Sequence, residues 1–161
     1  MHKDDYTRRY TEMVNRYSAL IYKVCYMYAD DSEHLKDLRQ EVLANLWQGL
    51  DRFREESSVS TWIYRIAINT CVSYFRRHRK GVTLTDYDDA AMAVADDSEH
   101  RQLLHQMYEM ISVLPRIDRA VVMLWLDGHS YDEIADVVGL SRANVASRLY
   151  RAKQSLIKDN V

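Results

Sequence analysis

The segment SYDEIADVVGLSRANVASRLYRAKQSL, from Ser130 to Leu156, contains two short apolar patterns at helical spacing with one glycine between them. Ser130 and Glu133 have the spacing of a capping box, which starts a helix by satisfying two backbone N–H groups. Gly139 is placed to end that helix, and Ser141 is placed to cap the next one. The segment therefore predicts a short helix, a tight turn and a second helix, which is the arrangement of a helix-turn-helix.

The apolar positions indicate how these two helices pack. The contacting residues are expected to be Ile134, Ala135 and Val138 on the first helix, and Val145 and Leu149 on the second. The small side chain of Ala135 permits a close approach. Packing of this kind leaves the other side of the second helix facing solvent, where it presents Arg142, Ala143, Asn144, Ala146, Ser147 and Tyr150.

An outward face with arginine and amide groups is typical of a helix that enters the major groove of DNA. Arginine and asparagine form paired hydrogen bonds there with guanine and adenine edges, respectively. Arg148, Arg151 and Lys153 are better placed for phosphates, and the helix N-terminus at Ser141 also favours a phosphate. The alternative is an amphipathic helical hairpin with a solvated basic face, and the pattern alone leaves both interpretations open.

Composition favours a helical protein. The chain has 161 residues, of which 47% are hydrophobic and 29% charged, with only four glycines and one proline, whereas strand-rich folds need more turn residues. Cys25 and Cys71 give neither a disulfide framework nor metal-ligand spacing. The charged N-terminal stretch MHKDDYTRRYTE is unlike a signal peptide, and no apolar run is long enough to cross a bilayer. We expect a soluble, cytoplasmic protein with no membrane insertion.

The formal net charge is −2, but the charges are segregated along the chain. Residues 82–99 contain six acidic residues and neither lysine nor arginine, whereas RRHRK at 76–80 and residues 142–161 are basic. Residues 82–98 are also rich in small residues and have no apolar stripe wide enough to bury. They are therefore predicted to form a flexible acidic linker.

Apolar stripes predict helices on both sides of this linker. Before it, we expect a long helix over residues 5–29, a second helix that begins near Asp31 and Ser32, and a third over residues 60–80. After it, a fourth helix begins after Ser98 and ends near Pro115. Asp118 is placed to cap a further helix that runs through Leu126, ahead of the helix-turn-helix. The predicted fold class is all-α, with small helical domains at residues 1–81 and 99–161.

Two stretches of the first domain, DLRQEVLANLWQGLDRF at 37–53 and STWIYRIAINTCVSYFRRHRK at 60–80, resemble region 2 of bacterial RNA polymerase sigma factors. The stretch LPRIDRAVVMLWLDGHSYDEIADVVGLSRANVASRLYRAKQSL at 114–156 resembles their region 4. The two stretches occur in the family's order and are separated by a tether. Because the chain has neither the acidic N-terminal region nor the intermediate domain of primary sigma factors, it resembles the extracytoplasmic-function subgroup of the sigma-70 family.

The resemblance implies an initiation factor that binds core RNA polymerase and promoter DNA and helps to melt the promoter. Polar residues beside the apolar stripe of Leu38, Val42 and Leu46 would dock on the clamp helices of the largest polymerase subunit, and region 4 would meet the flap. The docking residues are expected to be Asp37, Gln40, Glu41 and Leu43. An anti-sigma factor is the other protein partner that the resemblance implies.

The resemblance also assigns residues to the two promoter elements. Phe53 and Asn69 would hold an extruded base of the minus-ten element, since unpaired bases stack on aromatic rings and bind amides. The backbone of that strand would meet Arg65, Arg76, Arg77, Arg79 and Lys80. Trp62 is expected in the core rather than in the base pocket, and the place of Tyr64 stays open.

The minus-thirty-five element would be read by Arg142, Asn144, Ser147, Arg148, Tyr150, Arg151 and Lys153. Ala146 departs from the basic residue that the family often has there, so a contact with a base or phosphate is expected to be absent. In related factors the tether passes close to the template strand, but a solvated spacer explains the individual linker acids equally well.

Two other classes of function compete with this interpretation. An autonomous helix-turn-helix regulator would bind duplex DNA as a dimer, without polymerase. An enzyme is the weakest alternative, because the six histidines show no metal-ligand spacing and the chain has no glycine-rich phosphate loop or nucleophile motif. The sequence therefore predicts no catalytic residues, no metal and no cofactor.

Overall fold

The computed structural model describes residues 2–77 and 98–159, and within these residues it contains eight α-helices, one 3-10 turn and no strand. The predicted all-α class is confirmed. The chain divides into two compact units, one of which extends from the N-terminus through the fourth α-helix, while the other contains the last four. The linker predicted at 82–98 lies outside the described residues, except for Ser98.

The first unit consists of α1 (Lys3–Arg16), α2 (Ser18–Tyr28), α3 (Ser32–Gly49), the 3-10 turn Leu50–Arg52 and α4 (Val59–Arg77). As predicted, Asp31 caps α3, since its carboxylate accepts a hydrogen bond of 2.7 Å from the backbone N–H of His34.

The single long helix predicted over residues 5–29 is wrong. Tyr17, with φ −108° and ψ 20°, interrupts it between α1 and α2. The two halves have different surroundings, because α1 has no buried residue whereas most of α2 is buried. The stripe of Val14, Tyr17 and Ile21 fits one helix by spacing, but only its second half lies in the core.

The core of the first unit forms where α2, α3 and α4 pack together. Val24, Leu38 and Ile63 supply one fully buried side chain from each helix. Cys25 and Cys71 meet there as free, buried thiols. A hydrogen bond with Cys25, together with burial, raises the pKa of the Cys71 thiol well above its ordinary value, so that this thiol stays protonated at neutral pH.

Aromatic contacts attach α1 to the outside of α3. The rings of Tyr6 and Tyr10 meet Trp47 edge-on, with centroids 4.7 and 5.0 Å away. The Tyr10 hydroxyl donates to the Leu43 carbonyl over 2.8 Å, and the Tyr6 hydroxyl donates to the Trp47 carbonyl. This outer helix is therefore held by a few tyrosine contacts rather than by a buried apolar stripe.

The second unit consists of α5 (Ser98–Ser112), α6 (Arg116–Leu126), α7 (Tyr131–Val138) and α8 (Arg142–Asp159). Its core lies where α6, α7 and α8 pack on one another. The fully buried side chains there include Val121, Leu124, Ile134, Val145 and Leu149.

Two details of this unit differ from the sequence prediction. Asp118 is not a helix cap, because α6 already begins at Arg116 and Pro115 occupies the N-cap position. Val137, rather than Val138, is buried beside Ile134. In a helix as short as α7, neighbouring valines lie on either side of the contact line, and spacing alone does not separate them. None of the helices in residues 2–77 and 98–159 has the length and apolar character needed to span a membrane.

Candidate nucleic-acid interface

The helix-turn-helix predicted from the sequence is formed by α7 and α8. The Ser130 hydroxyl accepts from the Glu133 N–H at 3.1 Å, and the Glu133 carboxylate accepts from the Ser130 N–H at 3.3 Å, so the capping box is present. Hydrogen bonds with the Ser130 backbone and side chain lower the pKa of the Glu133 carboxyl, and the bond from the Ser130 backbone N–H has the larger effect. Gly139 ends α7 with φ 74°, a left-handed conformation that suits glycine. The Ser141 hydroxyl then accepts from the Asn144 N–H at 3.1 Å and caps α8.

One side of α8 is exposed, as the sequence predicted. Arg142, Ser147, Tyr150 and Arg151 are exposed, with Tyr150 at 65%, while Asn144 is half-buried. The opposite side carries Val145 and Leu149 into the core. The helix therefore presents a polar and basic face of the kind that fits a major groove. Whether these residues read the minus-thirty-five element stays a prediction.

Two arginines of α8 that sequence analysis assigned to DNA differ in their surroundings. Arg142 lies 3.7 Å from Asp132, and both side chains are about 70% exposed, at 68% and 72%. Arg148 lies 2.9 Å from Asp118, and these side chains are only 28% and 16% exposed. Exposed ion pairs contribute little because water and salt screen them, whereas half-buried pairs are screened less. Arg142 is therefore easily released to a ligand, and Arg148 is held inside the unit.

Arg148 also contacts a residue of its own helix. Its Nε donates to Oδ1 of Asn144 over 3.1 Å while Nη1 donates to Asp118. Asp118, Arg148 and Asn144 thus form a continuous chain of hydrogen bonds from α6 to the first turn of α8. The sequence carried no signal for this chain, because Asp118 precedes Arg148 by 30 residues.

Lys153, also assigned to DNA from the sequence, lies against α6. Its Nζ is 4.0 Å from the ring centroid of Trp125, which is a cation–π distance. The indole, still 37% exposed, therefore holds the ammonium group near the C-terminal end of α6. A phosphate contact would have to form from this position or displace the ring contact.

In the first unit, α3 carries the residues predicted to dock on polymerase. Asp37 and Gln40 are exposed, whereas Glu41 and Leu43 are half-buried. The Leu43 carbonyl is the one that Tyr10 of α1 binds, so α1 borders this surface. Sequence reasoning missed that neighbour, because the tyrosines of α1 have no buried stripe that would indicate a contact. The docking role stays a prediction.

The residues predicted to hold the minus-ten base lie just before α4 and along it. Phe53 is half-buried, and its ring centroid lies 5.0 Å from that of Trp62. Trp62 was expected in the core but is only half-buried, and its ring contacts that of Phe53. Tyr64, which the sequence left open, is in the core at 2% exposure. Asn69 is exposed farther along α4.

The basic residues assigned to the minus-ten strand are described only in part. Arg65 is half-buried on α4, and Arg76 and Arg77 belong to the last turn of that helix. Arg79 and Lys80 lie outside the described residues. Across residues 2–77 and 98–159, no group of three histidine, cysteine or acidic side chains is arranged to hold a metal ion.

Family models match both units. The model described as Sigma-70 region 2 matches residues 13–81, and the model described as Sigma-70, region 4 matches residues 104–156. The matches follow the order of the sequence resemblance and together cover most of the chain.

Curated relatives align across both units as well. The RNA polymerase sigma factor YlaC of Bacillus subtilis (strain 168) is 29% identical over 137 residues, which cover 79% of this chain and 78% of the relative. The ECF RNA polymerase sigma-E factor of Escherichia coli (strain K12) is 27% identical over 158 residues, which cover 89% of this chain and 82% of the relative.

Solved structures share the fold. The sigma factor RpoE from Bartonella quintana, solved in complex with the anti-sigma factor NepR, has a TM-score of 0.73 at 19% identity, covering 94% of this chain and 96% of that one. CnrH, solved with the cytosolic domain of CnrY, has a TM-score of 0.66 at 22% identity, covering 94% of this chain and 87% of that one. At these identities the likeness shows the fold alone.

Proposed function

The chain belongs to the sigma-70 family, as an RNA polymerase sigma factor of the extracytoplasmic-function type, and from that premise we propose how its two units divide the work of initiation. Sigma factors direct core polymerase to promoters. The first unit would bind core polymerase and the melted minus-ten element, and the second would read the minus-thirty-five element as duplex. The predicted boundaries are residues 1–81 and 99–161, with the acidic linker between them.

In the first unit, the exposed carboxylate and amide of Asp37 and Gln40 are the docking groups that the surface of α3 offers to the clamp helices. The Phe53 ring contacts the Trp62 ring, which holds it in place, and an unpaired base could stack on the Phe53 ring. Asn69 supplies an exposed amide on the same helix as Trp62. An exposed amide and a backed aromatic ring are the two kinds of group that capture of a single-stranded base would use.

In the second unit, the observation that carries the proposal is the exposed face of α8. Its first turn is capped by Ser141, its inner side is locked in the core by Val145 and Leu149, and its outer side presents Arg142 and Arg151. A rigid helix with a solvent-facing basic side is what major-groove recognition requires. Ser147 and Tyr150 complete this face.

The direct test is run-off transcription with purified core polymerase on a library of promoter templates. We expect the added chain to produce transcripts that start at a defined subset of templates, whereas core alone produces none of them. Templates altered in either element should lose the transcript. If no template is transcribed above the level of core alone, the assignment to initiation is wrong.

A salt titration of holoenzyme binding tests the phosphate contacts proposed for α8. The logarithm of the binding constant falls linearly with the logarithm of the salt concentration, and each lost phosphate contact makes this slope less steep by about 0.9. We expect Arg151→Ala to reduce the steepness of the slope by roughly that amount. Lys158→Ala is the matched control, because Lys158 is an exposed, positively charged residue of the same helix, and the proposal does not include it in the interface. Equal slopes for the two variants would contradict the assigned role of Arg151.

The autonomous helix-turn-helix regulator is not favoured, because such a protein has no need of the region 2 match in its first unit. A gel shift separates the two functions. A regulator would bind its operator without polymerase, whereas we expect this chain to bind promoter DNA specifically only together with core. Specific binding as a dimer in the absence of core would support the regulator.

The remaining proposals concern partners and location. A structural neighbour was solved with an anti-sigma factor, and an inhibitor of that kind would act here by covering the docking face of α3 or the exposed face of α8. A protein captured on the tagged chain from its own cells should then block run-off transcription, and a captured protein that leaves transcription unchanged is not such an inhibitor. The chain would work in the cytoplasm, and polymerase rather than the chain would supply the chemistry.

A further inference from the structure

The hydrogen-bond chain Asp118–Arg148–Asn144 fixes which way the Asn144 amide points. A guanidinium group carries only donors, so the Asn144 atom that faces Arg148 Nε at 3.1 Å must be the carbonyl oxygen Oδ1. The amide nitrogen Nδ2 then lies on the other side of the carboxamide, away from Arg148. This orientation follows from hydrogen-bonding chemistry, because the flipped amide would place two donors against each other.

Asp118 keeps the guanidinium in this position. Its carboxylate accepts from Arg148 Nη1 at 2.9 Å, in surroundings where the two side chains are 16% and 28% exposed. A charge-assisted hydrogen bond that is partly shielded from water is stronger than an exposed one. Arg148 lies four residues after Asn144, one helical turn along α8, so it can hold both partners at once.

We propose that Asp118, acting through Arg148, is a positioning residue that turns Oδ1 of Asn144 toward Arg148 and leaves the Nδ2 donors of Asn144 to contact the promoter. Asn144 would thereby select a base with a keto oxygen in the major groove of the minus-thirty-five element. The inference rests on the proposed function of the second unit. It goes beyond that function by naming the class of base that one residue selects and the residue, remote in sequence, that sets the choice.

The base preference follows from the groups that line the major groove. Guanine offers the acceptors O6 and N7, and thymine offers O4, whereas cytosine offers an amino donor and adenine pairs its N7 acceptor with an amino donor. The paired contact of asparagine with adenine needs Oδ1 as an acceptor for that amino group. In this protein Arg148 binds one lone pair of Oδ1 and fixes the orientation of the carboxamide, so that Oδ1 and Nδ2 are not free to turn together toward one adenine. The pairing with adenine expected from sequence is therefore replaced by a preference for guanine or thymine.

The test is a selection with holoenzyme on promoter duplexes that are randomised in the minus-thirty-five element, read out as the preference at each position. Asn144→Asp keeps an oxygen toward Arg148 and turns the other oxygen, an acceptor, toward the DNA. We expect the preferred base at one position to change from a keto base to an amino base. Asp118→Asn removes the charge that holds Arg148, and the keto preference at the same position should fall roughly two- to tenfold, the range of a single hydrogen bond.

Asp132→Asn is the matched control, because it also removes a carboxylate next to an α8 arginine, but from an exposed pair at 3.7 Å. Its preference profile should equal that of the unaltered chain. Equal profiles for Asp118→Asn and Asp132→Asn would refute the positioning role. An unchanged preferred base in Asn144→Asp would refute base selection by Asn144, including when affinity falls equally on all sequences, because the added negative charge alone repels DNA. An unaltered holoenzyme with no minus-thirty-five preference at any position would instead overturn the proposed function.

Discussion

Replacing Leu149 by alanine should unfold the second unit at a temperature that leaves the first unit intact. Leu149 is 1% exposed and lies on α8, which packs against both α6 and α7. Truncation of a fully buried leucine to alanine costs about 2–5 kcal/mol, because it removes packing contacts and leaves a cavity. At roughly 0.05–0.15 kcal/mol per residue, a unit of this size has a free energy of unfolding of only about 3–9 kcal/mol. The substitution therefore removes a large share of that stability.

In a unit this small, a loss of about 3 kcal/mol lowers the unfolding temperature by roughly 12–24 °C. Hydrogen exchange of the full-length chain, followed by mass spectrometry, measures each unit separately. Ile157→Ala is the matched control, since Ile157 is an aliphatic residue of the same helix that is 60% exposed, and its loss should cost less than about 0.5 kcal/mol. If Leu149→Ala and Ile157→Ala lower the stability of the second unit equally, the packing of α8 on α6 and α7 is not what holds this unit together.

Three further substitutions test local features of the two units. Gly139→Ala should cost about 1 kcal/mol in a denaturant titration, because φ is 74° there and an added Cβ meets nothing within 4 Å, which leaves backbone strain as the cost; unchanged stability would contradict it. Gly49→Leu should lower the free energy of unfolding by about 1–3 kcal/mol and shift the tryptophan fluorescence, because even the Cβ of a larger residue would lie 3.3 Å from the Trp62 ring. An unshifted spectrum would argue against that contact. Ser130→Ala should raise the pKa of Glu133 toward its ordinary value in an NMR titration. Because the folded pKa is lowered, the capping contribution is present above the ordinary carboxyl pKa and is lost as the pH falls through the folded value. The rise should be partial, because alanine keeps the backbone N–H that is the larger cause of the shift, and an unmoved pKa would show that the Ser130 hydroxyl does not contribute to it.

The parts of the fold that the sequence predicted correctly depend on residues close together in the chain. The caps at Asp31, Ser130 and Ser141, and the helix end at Gly139, each involve a bond or a backbone angle within four residues. The spacing of residues along the chain is therefore sufficient to predict features of this kind. The break at Tyr17 was missed because helical spacing continues through it, and the change there is from an exposed helix to a buried one, which depends on the rest of the unit.

The candidate site was predictable in its exposed face but not in its internal contacts. The outward side of α8 follows from the apolar positions that Val145 and Leu149 occupy. The partner of Arg148 does not, because Asp118 belongs to another helix and its place near α6's start suggested a cap instead. The contact of Lys153 with Trp125 could not be predicted either, because Trp125 also belongs to another helix. Residue type and spacing indicate which groups reach the surface, and tertiary packing decides which of them are already engaged.

The same packing explains how a chain with a net charge of −2 can present a basic face on α8. At physiological salt the field of an exposed charge falls off over about 8 Å, which is less than the width of a helix with its side chains. A ligand on α8 therefore responds to the charges of the face that it meets, such as Arg142 and Arg151, rather than to the net charge of the chain. Asp118 lies behind α8, where its charge is neutralised by Arg148. The local arrangement of charge, rather than the total, decides which polyanion the helix can approach.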